Sequence, residues 1–307
     1  MCGERIMKNI AIIGDIILDK YIYGDVERIS PEAPVPILRI TEEKYILGGA
    51  GNTANNVASL GGKATLFGIV GYDIKADKIE ELAKKSNINT EGLFVDIIIP
   101  TIIKTRHIGR HQQMLRVDEE TLPKEDVATK HILDTLNKNK YDAIIISDYN
   151  KGVVTPNLMK EIKEYALKHN NTPIFADIKP IHKKLFKNVF LIKPNLKEAK
   201  EMCNGINDIN TIGIKLSKEL NCNVLITLGE KGMALFEQNK KPVFIETSAK
   251  EVFDVSGAGD TVIATLTLTA LSGAGLQEAT RVANVAGGIV VGKTGTATIT
   301  KEELEKS

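Results

Sequence analysis

AIIISDYNKGVVTPNLMKEIKEYALKHNNTPIFADIK, residues 143–179, is the stretch on which the fold turns. Residues 143–147 are an unbroken apolar run of strand length, as expected of a strand buried on both faces. Residues 156–170 carry helical spacing, and residues 174–177 form a second short apolar run. Strand, helix and strand in that order imply parallel strands joined by a crossing helix. Each strand also gives way to polar residues at its C-terminal end: SDYNKG at 147–152 and DIKP at 177–180.

The alternation extends in both directions. Residues 10–13, 65–70, 189–192 and 224–228 read as further strands, and 75–86, 125–139 and 209–220 as helices. The class is therefore α/β, with a mostly parallel sheet covered by helices on both faces. Ligands of such sheets bind beyond the carboxyl ends of the strands. There the loops GD at 14–15, KPN at 193–195 and LGEKG at 228–232 join those already quoted. Two segments break the pattern. Residues 20–45 contain SPEAPVP, whose prolines exclude helix, and residues 100–118 mix β-branched and charged residues without helical period. Both are expected as short strands outside the main sheet, together making a small β lid. Beyond residue 260 the segments 261–274 and 279–291 are rich in small residues and read as two closely packed helices.

The chain has 307 residues, 43% of them hydrophobic, enough for a large buried core. Residues 1–307 are read as a single domain with its lid. A formal charge of +1 provides no global field to recruit nucleic acid or an anionic membrane. Three cysteines without metal-ligand spacing fit a reducing compartment and structural roles. Asp15 interrupts the first apolar run, so a core strand is expected there rather than a signal peptide. No apolar run approaches the roughly 20 residues that span a bilayer, and a cytoplasmic location is expected.

Three glycine-rich motifs compete for the function. GGIVVGKT at 287–294 fits the P-loop pattern, but it ends a helix-like stretch instead of following a strand. GAGNTA at 49–54 fits a dinucleotide fingerprint, yet the residues before it make a poor central strand. DVSGAGDT at 254–261 opens the helix beginning at 261. Backbone N–H groups of Gly257, Ala258 and Gly259 at that helix start suit an anion. Asp260 has a plain reading, a first-turn acid favoured by the helix dipole by about 0.3–1 kcal/mol. An ordinary cap, however, does not need G-A-G. If the amides hold a phosphoryl group in transit, the adjacent carboxylate accepts the proton of an attacking hydroxyl, which is kinase chemistry.

The pair GGAGNTANNVASLGGKATLFGIVG and DVSGAGDTVIA, in that order, resembles the two signatures of the ribokinase-like, PfkB-type carbohydrate kinases. GDIILDKYIYGDVERISPEAPVPIL, RHQQMLRVD, SDYNKG, KPNLKE and VANVAGGIVVGKTGT resemble more closely the kinase half of bifunctional heptose 7-phosphate kinase/heptose 1-phosphate adenylyltransferases. No H-x-G-H motif of an adenylyltransferase is present, so a stand-alone kinase is expected. The resemblance implies a three-layer sandwich and an ATP- and Mg²⁺-dependent kinase. Its acceptor would be D-glycero-β-D-manno-heptose 7-phosphate, phosphorylated at O1 for ADP-heptose and lipopolysaccharide core synthesis. Another sugar kinase of the group, or a catalytically silent sugar-phosphate-binding regulator, are the alternatives.

Carried over by residue, the resemblance makes Asp260 the base and Gly257, Ala258 and Gly259 the anion hole. Asn195 and Glu198 would position Mg²⁺, through water, and the nucleotide phosphates, although NLKE reads equally as a capping box. Thr227, Gly229 and Gly232 would approach the nucleotide, with Asn284, Gly287 and Gly288 near adenine. Asp15, Asp19, Gly48, Gly49 and Asn52 would face the sugar. For the phosphate already on the substrate, Lys104, Arg106, Arg110, Arg116, Lys151 and Lys179 are the candidate cations, with His107 and His111 beside them. A homodimer through the lid is expected on the same ground.

Overall fold

The computed structural model describes residues 7–110, 112–123, 126–248, 253–293, 295 and 297–307. In chain order the first half contains β1 (Asn9–Gly14), β2 (Ile16–Ile29), β3 (Pro36–Gly49), α1 (Ala50–Ser59), β4 (Lys63–Gly71), α2 (Ile74–Lys85), β5 (Asn89–Asp96), β6 (Ile103–Gly109) and β7 (Gln112–Glu119). The middle contains α3 (Thr129–Leu136), β8 (Ala143–Ser147), α4 (Pro156–Lys168), β9 (Ile174–Asp177), β10 (Leu191–Ile192), α5 (Leu196–Met202) and α6 (Ile209–Leu220). The last part contains β11 (Asn223–Thr227), β12 (Met233–Phe236), β13 (Val243–Ile245), α7 (Ala258–Leu271), α8 (Leu276–Val291) and α9 (Lys301–Glu305).

The main sheet runs β13-β12-β11-β10-β9-β8-β1-β4-β5, parallel except for β12 near one edge, which is antiparallel to both β11 and β13. Because side chains alternate across a strand, β1 and β8 supply two cores at once. Ile10, Ile12, Ala143 and Ile145 pack with residues of α1, α2, α7 and α8. Ala11, Ile13, Ile144 and Ile146 pack with residues of α3, α4, α5 and α6 on the other face. This is the expected three-layer α/β sandwich. Gly14, where β1 meets β8, has no room for a side chain: a Cβ would lie 2.0 Å from the Ser147 carbonyl oxygen. No helix among the described residues is long and apolar enough to cross a membrane.

The lid is a separate four-stranded sheet, β3-β2-β6-β7. Its first two strands correct the expectation of short ones, since β2 and β3 are 14 residues each. They begin and end on the main body, at Ile16 and Gly49, and two register shifts let so long a ribbon bend. SPEAPVP supplies its turn. Strands β5 and β12 escaped the sequence reading, and β10 is shorter than expected. The P-loop-like Gly287–Val291 segment lies within α8. The dinucleotide-like GAGNTA follows β3, a lid strand, and not a strand of the parallel sheet.

Candidate active site

Helix α7 begins three residues earlier than its apolar spacing suggested, because G-A-G is itself the first turn. Gly257 is the N-cap, in the left-handed region at φ 79° that favours glycine. Ala258 donates its N–H to the Val255 carbonyl at 3.3 Å, so it is not free as expected. The N–H groups of Gly257 and Gly259 have no protein acceptor among the described residues, as is usual at a helix start.

Asp260 follows in the first turn, buried to 2% exposure. Asn52 Nδ2 donates to its Oδ2 at 2.7 Å, and Thr53 Oγ1 to its Oδ1 at 2.9 Å. The Tyr149 hydroxyl reaches both oxygens, at 3.1 and 3.2 Å. Burial pushes the Asp260 carboxyl up to about 6, with Asp177 adding to the rise and Asn52, Thr53 and Lys193 opposing it. Burial and the neighbouring Asp260 charge hold the Tyr149 phenol well above its usual value, so it donates to the carboxylate as a neutral hydroxyl. Asn56 fixes the arrangement from behind: its Nδ2 donates to the Asn52 carbonyl at 3.0 Å, and its Oδ1 accepts from Thr261 Oγ1 at 2.8 Å.

On one side of α7 a cavity of about 720 Å³ opens over the carboxyl ends of β8 to β11. Asn195, Glu198, Thr227, Gly229, Gly232, Asn284, Gly287 and Gly288 all line it, as do Ala258 and Gly259. Gly232 adopts φ 84°, and a Cβ there would sit 2.0 Å from the Ile245 carbonyl oxygen, so only glycine fits the turn. Asn284 donates to the Glu246 carbonyl at 2.7 Å, tying α8 to the chain after β13. Asn195 and Glu198 do form the capping box: the Glu198 N–H donates to Asn195 Oδ1, and the Asn195 N–H to Glu198 Oε2. The other Glu198 oxygen is ion-paired with Lys179. The Lys179 ammonium on Glu198 repels a cation bound directly to that carboxylate more than one held a water molecule away. The residues fit Mg²⁺ in that second manner.

The lid brings a second set of charges near Tyr149, whose phenol feels the Asp19 charge. The register sets Asp19, Tyr21 and Tyr23 of β2 on one face with Lys104 and Arg106 of β6 and Arg116 and Asp118 of β7. Arg106 is ion-paired with Asp19 and lies over the Tyr21 ring. Gly48 makes this possible, because a Cβ there would fall 2.2 Å from Asp19 Oδ2. Lys104 is half-buried and makes no ion pair with a described residue. Burial lowers its pKa, Lys151 and Arg116 lower it further, and Asp118 and Asp19 oppose them.

Several of the predicted site residues have partners within the protein. The Asp15 carboxylate is spent on the loop after β8, accepting the N–H groups of Tyr149 (2.7 Å), Lys151 (3.0 Å) and Val153 (3.1 Å). Asn52 is directed at Asp260. Lys179 lies with Glu198 in the cavity, away from the lid cations. Lys151 does approach Lys104, but is paired with Glu120 at 2.6 Å. Arg110 sits at the tip of the β6–β7 hairpin, six residues beyond Lys104 and so about 20 Å along the strand. His107 alternates to the other face of the lid, and His111 falls outside the described residues. Tyr149, Thr53 and Lys193 were missed. They lie within SDYNKG, GAGNTA and KPN, but only the fold brings them to the start of α7.

The family model described as pfkB family carbohydrate kinase matches residues 7–303. The chain is 39% identical over 306 residues to the bifunctional protein HldE of a Nitratiruptor species, covering 97% of this chain and 64% of that protein. It is 40% identical over 307 residues to HldE of Aliarcobacter butzleri, covering 96% and 63%. The chain thus spans somewhat under two thirds of these relatives. Among solved structures, phosphofructokinase-2 from Escherichia coli in complex with substrates and products superposes with a TM-score of 0.80 at 18% identity, and 98% of each chain is covered. Arabidopsis thaliana ribokinase complexed with ribose and ATP gives 0.76 at 19%, again with 98% of each chain covered. The fold is ribokinase-like, and with a family match across nearly its whole length, this chain belongs to the pfkB family of carbohydrate kinases.

Proposed function

We propose that this sugar kinase transfers the γ-phosphoryl group of ATP to O1 of D-glycero-β-D-manno-heptose 7-phosphate, giving the 1,7-bisphosphate for ADP-heptose and lipopolysaccharide core synthesis. The observation that supports the reading is Asp260 itself, buried next to Gly259 of the cavity wall and bonded to Asn52 and Thr53, which follow the end of the lid strand β3. Asn195, Glu198 and Gly229 line the cavity, and the lid face carries Asp19, Lys104 and Arg106. ATP is the donor that kinases of this fold use, and Mg²⁺, held by Asn195 and Glu198 through water, would neutralise its phosphates. Asp260 takes the proton of the anomeric hydroxyl as its oxygen forms the bond to the γ-phosphorus. The bond from that phosphorus to the bridging oxygen breaks, and ADP leaves with the electron pair. The Gly257 and Gly259 amides steady the transferring oxygens. An acceptor that already carries a phosphate explains Lys104: a half-buried ammonium with a depressed pKa gains most from an anion. Turnover across a panel of sugars tests this reading. Heptose 7-phosphate is expected to give the highest kcat/KM; strong turnover of an unphosphorylated sugar, with none of the heptose phosphate, would refute it.

The reading includes a dimer. On the lid face opposite Asp19, the register gathers Ile40, Leu115 and Val117, exposed at 54%, 56% and 40%. Large apolar side chains grouped on an exposed sheet face mark an interface. Leu115→Glu is expected to convert a sedimenting dimer into a monomer; an unchanged sedimentation coefficient would exclude this face.

A further inference from the structure

Lys193 follows β10 in the KPN loop and is only 3% exposed. Lysines are almost never so buried unless paired, and its Nζ lies 2.8 Å from Asp177 Oδ2, at the end of β9. Such a pair recovers little of its desolvation cost, and a well-packed apolar pair would serve stability as well. Its place is informative. A Cβ built on Gly259 would lie 3.1 Å from Lys193 Nζ and 3.3 Å from Asp177 Oδ2. The ion pair therefore rests against the first turn of α7, beside the free Gly259 amide. Both residues also line the cavity. The third residue of G-A-G then has a second reason to be glycine, since a side chain would push the ammonium aside.

We propose that Lys193 is a further catalytic residue, whose ammonium contacts the non-bridging oxygens of the phosphoryl group in transit. The inference rests on the kinase reading above. In the step already written, the acceptor oxygen bonds to phosphorus, its proton passes to Asp260, and the bond to the leaving ADP oxygen breaks. Lys193 keeps all its protons and supplies positive charge from the cavity side. Asp177 holds it in place. It also keeps the ammonium from Glu198, which has Lys179 as its own partner. A cation fixed in advance in a dry site stabilises developing charge without reorganisation during the reaction.

The test is a comparison of Asp177→Asn with the double variant Lys193→Met/Asp177→Asn. The double variant removes both charges and so leaves no orphaned ion. It is expected to melt close to the wild type and to lose kcat by about 10²–10³-fold, the usual worth of one such group, with little change in KM for the sugar phosphate. Asp177→Asn keeps the ammonium and is expected to retain at least about ten times the kcat of the double variant, consistent with charge as the active element. A double variant within a few-fold of wild-type kcat would reduce Lys193 to the counter-ion of Asp177. Equal kcat in the two variants would also overturn the proposal. Rates are read with whichever sugar phosphate the wild type turns over best, so a wrong acceptor assignment leaves these ratios measurable.

Discussion

Asp260→Asn is expected to lower kcat by roughly 10²–10⁴, the range for loss of a general base, and at the same time to make the protein more heat-stable. The two effects share one cause. Asp260 is buried, and its carboxyl is pushed up to about 6 from 3.8. A raised carboxyl pKa means that the folded state binds the proton more tightly than the unfolded chain. The group therefore favours folding below about pH 4, and that contribution is lost as pH rises through about 6. At neutral pH the ionised carboxylate costs the fold up to about 3 kcal/mol. Asparagine is nearly isosteric and uncharged, and its carbonyl can take the Asn52 bond while the Thr53 and Tyr149 hydroxyls turn to accept from its NH2. The melting temperature is therefore expected to rise by several degrees. Nucleotide affinity should hold, since Asp260 is not among the residues lining the cavity. The same pKa, that of the ligand-free enzyme, gives wild-type kcat/KM an acid limb centred near pH 6, falling about tenfold per unit below it, and the variant should lack this limb. A variant with near-wild-type turnover, or with lower stability and an unchanged acid limb, would remove Asp260 from the reaction.

Arg106→Met is expected to raise KM for the sugar phosphate about 100-fold, the loss of a charge-assisted phosphate contact in a partly buried site. It also strands Asp19, which is 6% exposed, and breaking such a pair costs about 3–5 kcal/mol. Asp19→Asn/Arg106→Met separates the two effects. It should recover the melting temperature, because neither partner is left as an unpaired ion, while KM stays high. Recovery of both would make Arg106 only the counter-ion of Asp19. Unchanged KM in the single variant would move the phosphate to Lys104 and Arg116.

The sheet was legible because parallel strands buried on both faces must be apolar throughout, as in AIIIS at 143–147. The strands that escaped reading are ambiguous by the same physics. NTEGLFVD of β5 sits at an edge and mixes polar with apolar residues, and MALF of β12 is too short for its period to show. The ends of β2 and β3 were misplaced because GDIILD and LGG leave the main body without a break in pattern. In the site, G-A-G and its aspartate stand together in the chain and could be read together. Tyr149, Thr53 and Lys193 converge on them from three separate elements. Asp15 illustrates the opposite difficulty: an aspartate at a strand end suits a ligand or a loop equally, and the three loop amides it accepts are not visible in the sequence. NLKE proved to be both a capping box and part of the cavity wall, so the two readings were never exclusive.

The decisive distance is that between Asp260 and the acceptor hydroxyl when both substrates are bound. A structure of the enzyme with the sugar phosphate and a non-hydrolysable ATP analogue measures it most directly. The expected result is an Asp260 carboxylate oxygen within hydrogen-bond reach of the acceptor hydroxyl, about 2.6–3.2 Å, with the γ-phosphoryl group against the Gly257 and Gly259 amides. An acceptor hydroxyl bound beyond the reach of Asp260, with the lid closed over both ligands, would contradict the account.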